Sequence, residues 1–205
     1  MKANIVRNEN RKTLTVVLTP ISISYVDYLY KKYKDERYFA SGVLKGADYK
    51  NDIVPFVEKL ANELTAIGQG TLPPGTKIST NDLITLSDDE YRLFTRNLDR
   101  DGNWDKQFKV NLTNRAKDTD KRFLFLDLEQ TKPIPQQDGW KHNYAIELEV
   151  GVGYDEKTSK PYVFAIFHRA MSVGLKETNT FQANNSAWKG LNLETLEVKD
   201  DDLPF

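Results

Sequence analysis

Through most of this chain apolar residues recur at every second position, and only one long stretch carries the three-and-four spacing of a helix. A backbone whose side chains alternate between two faces has to form sheet, because only strands put every second residue on one side. The sequence predicts strands over Leu14–Thr19, Ile21–Ser24, Arg37–Lys45, Gln107–Leu112, Arg122–Leu128, Tyr144–Tyr154 and Pro161–Arg169. Pro20 removes a ladder donor between the first two and implies a bulge or an edge position there. Turn-prone stretches, Pro133–Gly139 and Asp155–Ser159, separate the later strands.

The exception is a helix expected from Asn51 or Asp52 to Gly68, with Pro55 in the first turn, where a missing N–H does least harm. Val54, Val57, Leu60, Leu64 and Ile67 give it one apolar face to lay on a sheet. Gly70, Pro73, Pro74 and Gly75 mark Gly68–Thr80 as a loop, and Ser87 with Glu90 has the form of a capping box that starts a short second helix. Strand and helix do not alternate as in a parallel α/β sheet. The order favours a mainly β fold with one packed helix, an OB-fold-like antiparallel β-barrel spanning 1–183, followed by a flexible acidic tail over 184–205.

Composition narrows the chemistry. The 205 residues include no cysteine, which removes disulfides, thiolate metal sites and a cysteine nucleophile, and the two imidazoles, His142 and His168, have no zinc-site spacing. No phosphate loop is present, since Gly68-Gln-Gly70 lacks the Gly-Lys-Ser/Thr ending, so no nucleotide cofactor is expected. No apolar run approaches the roughly 20 residues of a membrane span, and Met1–Asn4 opens no secretory signal, so a cytoplasmic protein is expected. Charge is segregated: of 29 basic and 30 acidic residues, Glu194–Phe205 hold one base and five acids, leaving 28 basic and 25 acidic, a body of +3. A mildly basic body with an acidic arm suits a binder of polyanions.

Two enzyme-like patterns compete with that reading. Asn97-Leu-Asp-Arg-Asp-Gly102 fills the start of a calcium loop, but Phe108 stands where the bidentate Glu belongs, so a turn is expected. Asp127, Glu129 and Glu147 offer carboxylates for a metal-dependent nuclease, although carboxylates alternating with leucines also describe the solvent face of an antiparallel strand.

The last six residues, Asp200-Asp201-Asp202-Leu203-Pro204-Phe205, offer a partner carboxylates, an extended turn of chain and an apolar ring beside the α-carboxylate. This segment resembles the C-terminal tip of bacterial single-stranded DNA-binding proteins, where Asp-Asp-Asp-Ile-Pro-Phe is usual and Leu203 is the one departure. The body lacks the Gly/Gln/Pro-rich linker of the bacterial family. It resembles instead the OB-fold single-stranded DNA-binding proteins of bacteriophages, on its aromatic N-terminal segment, the Tyr38-Phe39-Ala40-Ser41 strand and a Gly153-to-Phe167 hairpin.

The resemblance implies a non-catalytic protein that coats single-stranded DNA in replication, recombination and repair, with its tip recruiting partner enzymes; whether it forms a homo-oligomer is left open. Such a protein needs cations along the phosphates and rings on which bases stack. Candidates are Tyr30, Lys31, Lys32, Tyr33, Tyr38, Lys45, Lys109, Arg115, Lys117, Arg122, Trp140, Lys141, Tyr144, Tyr162 and Arg169. On Pro161–Arg169 alternation separates Tyr162, Phe164, Ile166 and His168 from Val163, Ala165, Phe167 and Arg169 without saying which set faces out. An adaptor that carries the tip without touching DNA is a further alternative.

Overall fold

The computed structural model describes residues 1–30, 37–85, 92–114, 124–129, 132–134 and 136–175, with the side chains of all but 24–30, 37–39, 114, 124 and 136–137. In chain order the elements are β1 (Lys2–Asn8), β2 (Thr13–Tyr30), β3 (Arg37–Leu44), α1 (Val54–Ile67), β4 (Ile84–Thr85), β5 (Phe94–Leu98), β6 (Trp104–Asn114), β7 (Leu124–Leu126), β8 (His142–Asp155) and β9 (Lys160–Leu175).

β2 is the spine. Its β-branched run continues through Pro20, and the consequence of the missing N–H is a change of neighbour rather than an end to the strand. Before Pro20, Thr13–Thr19 pair antiparallel with β1; after it, Ile21–Tyr30 pair with β3, while β8 runs along the opposite edge with a register shift between Leu18 and Ile21. The bulge implied by Pro20 is therefore present.

The hydrogen-bonded order is β4-β5-β6-β3-β2-β8-β9-β7, with β1 on β2 off this path. The sheet curls as an OB-type barrel does: β6 comes up against β9, four places away in that order, with no ladder between them among the described residues. Two details differ from a closed antiparallel barrel. Among the described residues the path is left open, and its two end strands, β4 and β7, run parallel to their neighbours.

Inside the curl, one core gathers Leu14, Val16 and Leu18 of β2, Phe94 of β5, Phe108, Val110 and Leu112 of β6, and Ile146, Leu148 and Val150 of β8. α1 covers it. Val57, Leu60 and Leu64 are buried as expected, joined by Phe56 and Ala61, whereas Val54 and Ile67 are half-buried. The helical segment starts earlier than the sequence predicts, because Asp48 accepts from the Asn51 amide at 2.7 Å and caps a π-helical turn, Tyr49–Ile53, that leads into α1. The loop after Gly68 is as expected, but the capping box described here is that of Ser79 and Asp82 on a 3₁₀ turn; the helix expected after Ser87 lies outside the described residues. Besides the two-residue β4, pattern reading missed β1 and β5, whose sequences are mixed and polar. They exist because long neighbours, β2 and β6, supply their ladders. No helix among the described residues is long and apolar enough to cross a membrane.

Candidate nucleic-acid interface

The β8–β9 hairpin resolves the face that alternation left open. Tyr144, Ile146, Leu148 and Val150 of β8 belong to the core, so Glu147, Glu149, Gly151 and Gly153 lie on the other side of that strand, while Asn143 and Ala145 nearer its start are buried. On β9, Val163 and Ala165 pack on the core and Phe167 is buried, which turns Tyr162, Phe164, Ile166 and His168 out. Tyr162 is 51% exposed.

A bulge alters the pattern further along. Glu147 pairs with Arg169 but Leu148 with Phe167, so one extra residue of β9 brings His168 and Arg169 to the same side as Glu147 and Glu149. There the Arg169 guanidinium donates to Glu147 Oε2 at 3.2 and 2.9 Å. Glu149 accepts from Thr13 at 2.9 Å and Arg11 at 3.3 Å, and its Oε2 lies 3.0 Å from His168 Nε2. Two carboxylates and two guanidiniums balance in this network. Arg169, expected to meet phosphate, is already engaged, and Glu147 is occupied by that pairing instead of standing ready for a metal. Asp127, the other strand carboxylate considered, accepts from the Lys132 amide at 3.1 Å within a turn. The calcium-like stretch is the turn expected: Asp99 accepts from the amides of Asp101 and Asn103 between β5 and β6.

At the start of β8 the chain forms a 3₁₀ turn, Gln136–Lys141. Trp140 is 59% exposed, and Lys141 Nζ lies 5.9 Å from its ring centroid and 2.8 Å from Asp138 Oδ1. Tyr144, placed among the base-stacking candidates, is fully buried: its hydroxyl donates to the Gly139 carbonyl at 2.8 Å and its ring meets Phe125 edge-on. It fixes the turn that presents Trp140. His142 Nδ1 lies 2.7 Å from Ser172 Oγ, and burial holds its imidazole below the ordinary histidine range.

The remaining candidates divide by position. Lys109 is on the outward side of β6 between the buried Phe108 and Val110, opposite Val43 and Thr95, and Lys45 follows the end of β3. The backbones of Tyr30 and Tyr38 are placed, Tyr30 opposite Arg37 and Tyr38 opposite Asn114, so the ends of β2, β3 and β6 lie side by side. Lys31, Lys32, Tyr33, Arg115, Lys117, Arg122 and the tip Asp200–Phe205 lie outside the described residues. Since Asn143 pairs with Ser22, the Trp140–Lys141 turn sits toward that same end of β2. Tyr162 does not join it. From His142 to Gly153, the partner of Tyr162, β8 runs about 35 Å.

Sequence reasoning missed three contributors on the hairpin: Gly151 opposite Phe164, Gly153 opposite Tyr162, and the exposed Lys160 opposite Asp155. The Thr158 hydroxyl and the Lys157 amide each bond Asp155 at 2.9 Å and hold its carboxyl below the usual range, so that group is spent within the turn. A signal was present, because a turn at Asp155–Ser159 fixes the register that sets each glycine against an aromatic ring.

No protein-family model matches the chain, and no curated protein is recognisably related to it in sequence. Among solved structures it is similar to the single-stranded DNA-binding protein from bacteriophage Enc34 in complex with ssDNA, at 8% identity over 86% of this chain and 96% of that one, with a TM-score of 0.47. It is also similar to gp2.5, a single-stranded DNA-binding protein encoded by bacteriophage T7, at 13% identity over 91% of this chain and 99% of that one, with a TM-score of 0.44.

Proposed function

We propose that this chain is a non-catalytic single-stranded DNA-binding protein of the cytoplasm, which coats replication, recombination and repair intermediates and recruits partner enzymes through Asp200–Phe205. The observation that carries the reading is exposure. Among the described residues, the two most exposed large apolar side chains are both aromatic rings, Trp140 and Tyr162. An open ring on a rigid strand or a tethered turn exposes apolar area that water disfavours and that the face of a base covers well. The basic body adds the phosphate term, and the acidic tip, which repels phosphate, suits a protein partner.

Titrating the chain with oligo-dT and with duplex of equal length, followed by tryptophan fluorescence over rising salt, tests the reading. Tighter binding to the single strand, with affinity falling steeply as salt rises, is expected. Equal affinity for duplex, or no response to salt, overturns it.

A further inference from the structure

On the outward side of the β8–β9 hairpin, Gly151 faces Phe164 and Gly153 faces Tyr162 in register. A Cβ built on Gly151 would come within 3.0 Å of Cζ, Cε1 and Cε2 of Phe164, and one on Gly153 within 2.8 Å of Cζ, Oη and Cε1 of Tyr162. Both aromatic side chains therefore lean across the neighbouring strand and occupy the space a side chain would take. They lie along the sheet instead of standing up from it. Tyr162 still keeps half its surface open to solvent.

We propose that Gly151 and Gly153 are positioning residues that lay Phe164 and Tyr162 down as a two-ring platform for unpaired bases, with Lys160 at its hairpin end to meet a phosphate. The inference rests on the single-strand-binding reading and gives it a site. A ring backed by a strand has one face to offer, and a base can cover it only if its own face is free, which duplex stacking prevents. The spacing points the same way. Residues two apart on a strand are about 7 Å apart, twice the roughly 3.4 Å between stacked bases on one strand, so two bases resting on the rings must have left their mutual stack. Fixing the rings beforehand removes the rotamer entropy that stacking would otherwise cost. Lys160 shares this outward face, two residues before Tyr162. At the other end the balanced Glu147–Glu149–Arg11–Arg169 network presents no excess negative charge to the strand.

The test compares full-length wild type, Tyr162→Ala, Tyr162→Phe and Gly153→Ala on oligo-dT and on an abasic oligonucleotide of the same length, which keeps the phosphates and lacks the bases. Tyr162→Ala is expected to weaken oligo-dT binding about 5- to 150-fold, the range for one lost stack. Gly153→Ala is expected to weaken it in the same direction by displacing the ring, Tyr162→Phe to retain it, and all three to bind the abasic strand as wild type does. Thermal melting of Gly153→Ala separates ring displacement from unfolding, since a strand glycine replaced by alanine gains backbone stability where its conformation permits. If wild type prefers oligo-dT to duplex but Tyr162→Ala keeps that affinity, or loses abasic binding equally, the platform is wrong and the broader function stands. If wild type shows no preference for the single strand, both fall.

Discussion

The phenol of Tyr144 anchors the Gln136–Lys141 turn through its 2.8 Å bond to the Gly139 carbonyl, and Phe125 closes over its ring. Tyr144→Phe leaves the ring packed and the buried Gly139 carbonyl without that donor. The expected cost is about 0.5–1.5 kcal/mol, seen as a lower urea midpoint with an unchanged slope. At this scale the sequence was least legible. Tyr144 and Tyr162 sit in similar alternating contexts, yet one is fully buried and the other half-exposed. Alternation says that neighbours face opposite ways, not which way is in; that depends on which face the rest of the sheet covers. Arg169 shows a second limit. Its partner Glu147 is 22 residues away in sequence, and the two meet only because β8 and β9 pair with a bulge between them.

The elements were more legible, because their signals are local. The apolar stripe of α1 named Val57, Leu60 and Leu64, and all three are buried in the core. Leu60, at 0% exposure, contacts the core at the centre of that stripe, so Leu60→Ala is expected to destabilise the fold by about 2–5 kcal/mol in chemical denaturation. β2, β6, β8 and β9 contain the strands read from the alternation and run longer at their ends, while β3 stops at Leu44, one residue short of the Arg37–Lys45 reading, and β7 is strand over Leu124–Leu126 of the expected Arg122–Leu128. What escaped was β1 and β5, where pairing to the long β2 and β6 overrides a weak or polar pattern, and the two-residue β4, which adds to β5. The Thr13–Tyr30 strand also shows that a proline which reads as a break marks an exchange of partners, β1 giving way to β3 along one edge.

Across the whole molecule, charge and curvature divide the work. A chain shortened by Asp200–Phe205 loses three carboxylates that compete with phosphate, so its affinity for oligo-dT is expected to hold or rise while capture of partner enzymes is lost; a loss of DNA affinity on the same deletion would count against the proposed division. The mainly β class, the single packed helix, the basic body and the acidic tip were all present in the sequence, because periodicity and charge are properties of short stretches that survive without knowledge of neighbours. Tertiary structure alone decided that the sheet curls without closing among the described residues, that Trp140 sits toward one end of β2 and Tyr162 at the far end of the hairpin, and that Phe164 and Tyr162 lie on Gly151 and Gly153. Each of these depends on which strands pair and in what register, and pairing is a contest among distant segments that no local pattern settles.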